Sequence, residues 1–266
     1  MTAAERYADP SAELRVVNDT LALQLAHRSV RRFTDRPVTD DELHAIVAAA
    51  QSAPTSSNLQ PWSVVAVRDP ERKARLAKLA GAQAFIDQAP LFLIWVADLA
   101  RARRLATRAG TPLDGADYLE STIIGFVDTS LAAQNAVVAA ESLGLGTVFV
   151  GAIRNHPREV AAELGLPRHA IATFGLAVGT ADPTESAGIK PRLPQGVVLH
   201  HEQYSDPADA DALIEEYDAA LEQYNTRHGL TGTWSHRVLG RLAGPASLNG
   251  RAKLRDDLAH LGFPSH

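Results

Sequence analysis

The longest helical pattern in the chain constrains its fold most, and it spans residues 114–143. Apolar residues recur there every three to four positions, at Ile123, Ile124, Val127, Leu131, Val137 and Val138. Polar Asp128, Gln134 and Asn135 lie within the same stretch, and such groups are costly in lipid. We therefore predict the central helix of a water-soluble core rather than a membrane span.

Four short apolar runs predict the strands of a sheet, and helical patterns separate them. The runs are residues 62–67, 91–97, 148–150 and 171–178. Thr39 and Glu42 have the spacing of a capping box, which predicts a helix behind them. Further helices are predicted for residues 11–26, 70–79, 82–88, 157–164, 208–224 and 249–261.

The order of these elements predicts a single domain. No repeat or linker splits the chain, so we expect one α+β domain over residues 1–266. The last part of the chain carries no strand pattern of its own. We predict that residues 205–266 form a helical arm that packs on a partner subunit.

The composition excludes several kinds of chemistry. A chain of 266 residues without cysteine can form no disulfide, no thiolate nucleophile and no cysteine-ligated metal or iron–sulfur centre. Its formal net charge of −5 argues against a domain that works mainly on nucleic-acid phosphates. Because residues 1–10 lack the apolar core of a signal peptide, we predict a cytoplasmic protein.

Two basic segments are the strongest candidates for a binding site. Residues 27–32 hold three arginines, a histidine and a serine just past a predicted helix end. Such a set of donors suits a phosphate dianion. Lys190 and Arg192 flank a proline in a second segment. A solvated basic turn is the alternative interpretation of residues 27–32.

Three other patterns give less support to a site. Gly144-x-Gly146 follows a helix and precedes a strand, so it predicts a helix end rather than a dinucleotide-binding loop. His200, His201 and Glu202 would alternate between the faces of a strand, which predicts a solvated strand end and no metal site. The chain has no Gly-x-Ser-x-Gly elbow, so a serine hydrolase has no support.

Six segments of the chain form an ordered set of motifs. They are residues 27–33, 52–60, 81–83, 127–136, 139–155 and 190–194. In order and spacing this set resembles the nitroreductase superfamily, specifically its NADPH-dependent FMN oxidoreductases of the oxygen-insensitive nitroreductase and flavin reductase type. The resemblance covers the chain to about residue 234. It implies an α+β fold with a mixed, mostly antiparallel sheet flanked by helices, and an intertwined homodimer.

The resemblance also implies FMN as the cofactor, bound where two subunits meet. The residues implied to bind it are His27, Arg28, Ser29, Val30, Arg31, Ser56, Ser57, Gln83, Phe149, Val150, Gly151, Ala152, Lys190 and Arg192. The arginines would hold the phosphate, and Lys190 would lie near N1 and O2 of the ring. These roles agree with the chemistry, because a reduced flavin concentrates negative charge at N1 and O2.

The same resemblance implies an electron donor and a reaction. Arg227 matches the basic residue with which the family selects NADPH, although a solvated cation at a helix end is the alternative. NADPH is the expected donor, and NADH can also serve. We expect ping-pong hydride transfer through flavin N5 to nitroaromatics, quinones or free flavin, without a metal and without a catalytic side chain.

Two other functional classes stay open from the sequence. One is a non-redox flavin-handling protein, either a carrier or a flavin-cleaving member of the same fold. The other is a module that binds phosphate ligands or nucleic acid through residues 27–32, and the acidic net charge counts against it.

Overall fold

The computed structural model describes residues 3–266 of the chain. Its strands are β1 (Trp62–Val67), β2 (Leu91–Asp98), β3 (Gly146–Val150) and β4 (Ala170–Gly179). Its helices are α1 (Ala3–Tyr7), α2 (Asp19–Ala26), α3 (Asp40–Gln51), α4 (Pro70–Leu79), α5 (Ala84–Gln88), α6 (Ala100–Ala109), α7 (Leu119–Ser142), α8 (Pro157–Leu164), α9 (Gln195–Val198), α10 (Asp211–Arg227), α11 (Trp234–Leu242) and α12 (Leu254–Leu261).

The chain divides into two compact units. The first unit contains residues up to 28 together with residues 186–248. The second unit contains residues 29–185 and 249–266. All four strands belong to the second unit, whereas the first is built from α1, α2, α9, α10 and α11.

The sheet of the second unit has the strand order β1-β2-β4-β3, and its neighbouring strands are antiparallel. Ser29 adds an isolated parallel bridge to Thr147 of β3. The register shifts between Trp95 and Val96 in the pairing of β2 with β4. The predicted α+β class with a mostly antiparallel sheet is confirmed.

Central strand β2 is apolar on both faces because helices cover both sides of the sheet. Phe92, Ile94 and Val96 pack into one cluster of buried residues. Leu91, Leu93 and Trp95 point the other way, into a second cluster that includes α3 and α7. Successive side chains on a strand alternate between faces, so the continuous apolar run at residues 91–97 is what a doubly covered strand requires.

Helix α7 lies against α3 and the sheet, but it is shorter than predicted. Asp114–Asp117 form a turn of 3-10 helix, and Tyr118 is extended, with φ −87° and ψ 154°, so the α-helix begins at Leu119. By length and composition α7 could cross a membrane, but 44% of its most apolar window is buried inside the second unit. Such burial is typical of a core helix.

Helix α3 begins directly after Thr39, as predicted. The Thr39 side chain accepts the Glu42 backbone N–H, and the Glu42 carboxylate accepts the Thr39 backbone N–H. This reciprocal pair confirms the capping box. The helix end predicted at Gly144 is also confirmed, since Gly144 follows α7 with φ +76°.

The first unit packs around Tyr217, Leu221 and Tyr224 of α10. The helix predicted for residues 11–26 is wrong over its first half. Asn18 accepts the Leu21 backbone N–H and starts α2 at Asp19, which leaves Val17 outside the helix and 52% exposed. Helix α11 is absent from the sequence-based prediction, because the segment begins in a polar, glycine-containing stretch.

The strand end predicted at His200 is also wrong. Residues 201–203 form a bend, and on either side of it the His200 ring stacks on Tyr204 at a centroid distance of 4.0 Å. Within residues 3–266, no cluster of histidine and acidic side chains has the arrangement of a metal site.

Candidate functional site

In the first unit, Arg6 of α1 joins the start of the first basic segment, at His27, to the second basic segment. The Arg6 guanidinium donates to the carbonyl of Lys190 at 3.0 Å and to that of His27 at 2.5 Å. In return, the Arg192 backbone N–H donates to the Arg6 carbonyl at 3.0 Å. The structure thus brings His27, Lys190 and Arg192 together, three of the predicted site residues.

Two tyrosines of α10 fix the loop that carries Lys190. The Tyr217 hydroxyl donates to the Pro191 carbonyl at 3.0 Å, and the Tyr224 hydroxyl donates to the Gly188 carbonyl at 2.9 Å. Burial raises the pKa of Tyr217, so this hydroxyl keeps its proton and stays a donor. The Lys190 ammonium lies 5.6 Å from the centre of the Tyr224 ring, in cation–π range.

In the second unit, Ser29 and Val30 run along the start of β3. The Val30 backbone N–H donates to the Thr147 carbonyl at 2.9 Å. A Cβ at position 146 would lie 2.5 Å from a Val30 methyl, so only glycine permits this close approach. The next residue, Arg31, donates its backbone N–H to Glu185 at 2.7 Å and has an exposed side chain.

The end of β3 leads into a tight turn at Gly151. Phe149 is 40% exposed and contacts Phe174 edge to face, at a centroid distance of 5.2 Å. Residues 151–155 form 3-10 helix, and a Cβ at position 151 would approach the Arg154 guanidinium to 3.3 Å. Arg154 in turn donates to the Thr173 carbonyl. Sequence reasoning missed this arginine, although it lies within a matched motif.

The loop after α3 holds the two predicted serines in an unusual backbone conformation. Ser57, Asn58 and Gln60 have φ values of 48°, 56° and 49°. L-residues rarely adopt this left-handed region, and such strain gathers at functional sites. The Ser56 backbone N–H donates to both carboxylate oxygens of Asp128, which is only 2% exposed. Sequence reasoning missed Asp128 as a support of this loop.

Gln83 lies at the start of α5 and donates its amide to the Ala80 carbonyl at 2.8 Å. The two residues before it, Gly81 and Ala82, both have positive φ. A Cβ at Gly81 would lie 3.8 Å from the Asn155 amide nitrogen. The other side-chain atom of Asn155, Oδ1, is buried and accepts no hydrogen bond from the described residues. Asn155 therefore offers an acceptor that a bound donor group would satisfy.

Arg227 is the last residue of α10, and its side chain is exposed. The residue after it, His228, contacts the Tyr224 ring at a centroid distance of 4.4 Å with the ring planes tilted by 41°, and it hydrogen-bonds the Ser186 carbonyl. These contacts fix the backbone just past Arg227, whose Nε donates to the Gln223 carbonyl at 3.4 Å.

The residues that the resemblance assigns to FMN suit different parts of that molecule. In the first unit, the side chains of His27, Arg28, Lys190 and Arg192 are of the basic, hydrogen-bonding type that a phosphate and a reduced ring require. The second unit supplies Arg31, the strained serine loop and the turn at Gly151. Taken unit by unit, these residues fit an anionic, planar cofactor, and within the second unit the buried Asn155 oxygen accepts no hydrogen bond from the described residues.

Comparisons with known proteins agree with this chemistry. The model of the Nitroreductase family matches residues 25–180, and that of the Nitroreductase family, C-terminal domain, matches residues 190–266. The NADPH-flavin oxidoreductase of Vibrio harveyi is 40% identical over 86% of this chain and 92% of its own length. An FMN reductase [NAD(P)H] of Bacillus subtilis is 39% identical, over 84% and 90%.

A solved structure supports the same assignment. NfrA2 of Bacillus megaterium superimposes with a TM-score of 0.86 at 40% identity, covering 93% of this chain and 98% of that one. The match thus extends to both sequence and fold over most of the chain. The chain belongs to the nitroreductase family.

Proposed function

We propose that this chain is an FMN-dependent oxidoreductase that takes reducing equivalents from NADPH and passes them to a small acceptor. The similar proteins are named for this chemistry, as NADPH-flavin oxidoreductase and as FMN reductase. The acceptor is a nitroaromatic, a quinone or free flavin. The observation that carries the proposal is the fixed position of Lys190 and Arg192, which Arg6, Tyr217 and the loop backbone hold in place.

We assign the cofactor to the residues named from the sequence. Arg28, Arg31 and Arg192, with His27 and Ser29, bind the phosphate and ribityl chain. The remaining positions contact the ring, namely Val30, Ser56, Ser57, Gln83, Phe149, Val150, Gly151, Ala152 and Lys190. When bound, FMN supplies the hydride-accepting centre that the side chains of this protein lack.

The protein contributes position and charge rather than acid–base chemistry. Hydride transfer requires no proton transfer to a side chain, so binding and orientation supply the catalysis. Lys190 stabilises negative charge, and the small residues Gly151 and Ala152 leave their backbone N–H groups accessible. Asp128 accepts the backbone N–H of Ser56, and this contact keeps the hydroxyl side chains of Ser56 and Ser57 at a set position in the strained loop.

Arg227 gives the preference for NADPH. Its exposed guanidinium suits the 2′-phosphate that distinguishes NADPH from NADH. The following loop, residues 228–232, contains no second arginine. The preference therefore depends on one guanidinium, and NADH remains a usable donor.

We propose a cytoplasmic homodimer in which α7 forms part of the interface. Leu119, Ile123, Val127 and Leu131 recur every four residues on α7 and are between 40% and 50% exposed. Exposed apolar stripes of this kind mark protein interfaces. Residues 1–266 act as one functional domain. Of the predicted arm, residues 205–248 belong to the first unit and pack on the partner subunit, whereas residues 249–266 belong to the second unit.

Anaerobic absorption spectroscopy tests the proposed function. The purified protein, loaded with FMN, is mixed with one equivalent of NADPH or of NADH. We expect the oxidised flavin bands to bleach with both donors, and faster with NADPH. A yellow protein that neither donor bleaches would instead be a non-redox flavin carrier. A protein that binds no FMN would contradict the proposal entirely.

A further inference from the structure

We propose that Arg6 is a positioning residue for the cofactor, acting within the first unit through the backbone of Leu25 and His27 and of residues 190–192. The inference rests on the proposed function, because it assigns a role in FMN binding to a residue that is not one of the expected contacts. Arg6 lies in α1, and residues 1–24 fall outside the ranges matched by the family models.

Arg6 is only 7% exposed, and its guanidinium donates hydrogen bonds to main-chain carbonyls. Its Nε and Nη2 donate to the Leu25 carbonyl at 3.1 and 2.7 Å. The same guanidinium reaches the carbonyls of His27 and Lys190. One rigid fork of donors therefore ties together two chain segments that are separated by more than 160 residues.

The carbonyl acceptors at Leu25 and His27 lie at the end of α2. The last carbonyls of a helix have no partner within the helix and carry partial negative charge. A buried guanidinium satisfies these acceptors and fixes the direction in which the chain leaves α2. His27 and Arg28 follow at once, so Arg6 sets where the first basic segment begins.

Both the side chain and the backbone of Arg6 bind the second basic segment. The guanidinium donates to the Lys190 carbonyl, and the Arg6 carbonyl accepts the Arg192 backbone N–H. The carbonyl and amide of residues 190 and 192 are thus both bound to one residue of α1. These Arg6 contacts are to the backbone, so they use no atom of the Lys190 or Arg192 side chain.

A guanidinium is better suited to this task than an ammonium. It presents five N–H groups in a plane, whereas lysine has one nitrogen and cannot span three acceptors at separate positions. Removal of the fork takes a donor from the part-buried carbonyls of Leu25, His27 and Lys190, of which Lys190 keeps Arg192 Nη1 at 3.2 Å. Both chain segments are loosened together. FMN would then have to order these segments when it binds, and its affinity would fall.

Variants of the full-length protein test this role by FMN binding to the apoprotein. Arg6→Ala, Arg6→Lys and a control, Arg15→Ala, are titrated with FMN, and quenching of flavin fluorescence gives each Kd. Arg15 is an exposed arginine of the same N-terminal stretch. We expect Arg6→Ala to raise Kd at least about tenfold, Arg6→Lys to give an intermediate value, and Arg15→Ala to match wild type.

Two further measurements separate positioning from general destabilisation. The midpoint potential of the bound flavin should become more negative in Arg6→Ala, because Lys190 loses one of the contacts that fix its backbone. Added guanidinium ion should restore part of the FMN affinity of Arg6→Ala. Thr233→Ala removes the side-chain cap of α11 in the same unit and serves as a variant of lowered stability whose FMN affinity should match wild type.

The outcomes distinguish this inference from the proposed function. The role of Arg6 would be overturned if Arg6→Ala had the same Kd for FMN and the same flavin potential as wild type. It would also be overturned if Thr233→Ala raised the Kd as much as Arg6→Ala does. Neither result would affect the conclusion that the wild type binds FMN. Failure of the wild-type protein to bind FMN would overturn the proposed function and this inference with it. If Arg6→Ala does not fold, Arg6→Lys decides by the same titration.

Discussion

Asp128 of α7 accepts the backbone N–H of Ser56 with both carboxylate oxygens, at 3.2 and 3.1 Å. This carboxylate is buried beneath a loop in which Ser57, Asn58 and Gln60 have left-handed backbone conformations. Strained backbone persists only where the surroundings hold it in place. Asp128 is therefore the anchor that keeps the serine loop at the edge of the predicted ring site.

Replacement of Asp128 should loosen the serine loop, and the effect should be larger when both acceptor oxygens are lost than when one remains. Asp128→Ala leaves the Ser56 N–H without these oxygens and should cost about 1–3 kcal/mol of unfolding free energy. Asp128→Asn keeps one acceptor oxygen and should cost less. Thermal unfolding and FMN titration measure both effects, with the exposed Ser130→Ala on α7 as the control. Equal stability of Asp128→Ala and wild type would exclude this anchoring role.

The sequence predicts well where a pattern reports burial directly. The apolar run of β2 and the capping box at Thr39 and Glu42 carry local, unambiguous signals. The start of α2 does not, because Leu14 and Val17 continue the helical spacing although Asn18 takes the cap. A side-chain cap of this kind competes with periodicity, and only the folded chain shows which prevails.

The contacts that build the site depend on residues far apart in the chain. Arg154 and Asp128 are visible in the sequence, but their acceptors and donors lie 19 and 72 residues away. An acidic residue in the middle of an apolar helix is the signal that could have identified Asp128. Arg6 has no such signal, because its partners are backbone carbonyls that every residue carries.

Loss of the exposed phosphate arginines should weaken FMN binding. Each charge-assisted hydrogen bond contributes about 1.5–3 kcal/mol, so Arg31→Ala and Arg192→Ala should each raise the Kd for FMN roughly ten- to a hundredfold. Both proteins should also purify with little flavin. Arg32→Ala is the matched control, because Arg32 pairs with Asp182 at 3.3 Å and is not assigned to the cofactor. Full flavin occupancy in both variants would refute the phosphate assignment.

Replacement of Arg227 should change the KM for NADPH and leave the KM for NADH unaffected. Arg227→Ala should raise KM for NADPH about tenfold or more and leave KM for NADH unchanged, because NADH has no 2′-phosphate. Arg227→Lys retains the charge and should fall between the two. Steady-state kinetics with each donor give the comparison, and Arg237→Ala on α11 is the control for general loss of positive charge. An equal rise for both donors would show that Arg227 does not select the phosphate.

The capping box of α3 should make part of the stability depend on pH. Hydrogen bonds from Arg36 and from the Thr39 backbone hold the pKa of Glu42 below its ordinary value of 4.5. A carboxylate with a lowered pKa stabilises the fold above the unfolded pKa and loses that effect as pH falls through the folded one. Glu42→Gln should therefore be less stable than wild type by up to about 1 kcal/mol at pH 7. Urea unfolding should show this difference vanish in acid.

Asp41 provides the control for this capping effect. It also lies in the first turn of α3, so Asp41→Asn removes a charge near the same helix end without removing the reciprocal cap. Its stability difference from wild type should be smaller at pH 7 than that of Glu42→Gln. A Glu42→Gln difference that persists unchanged at pH 2.5, roughly two units below the ordinary glutamate pKa, would show that the cap does not depend on the carboxylate charge.

A charge placed in the exposed stripe of α7 should separate the proposed dimer. Val127 is 49% exposed between Ile123 and Leu131, and burial of an unpaired carboxylate in an apolar interface is costly. Val127→Glu should sediment as a 28.5 kDa monomer, whereas wild type should sediment at twice that mass. Leu105→Glu introduces the same charge at a 59% exposed position on α6 and should remain dimeric. A monomeric wild type that binds FMN would show that the cofactor does not require a second subunit.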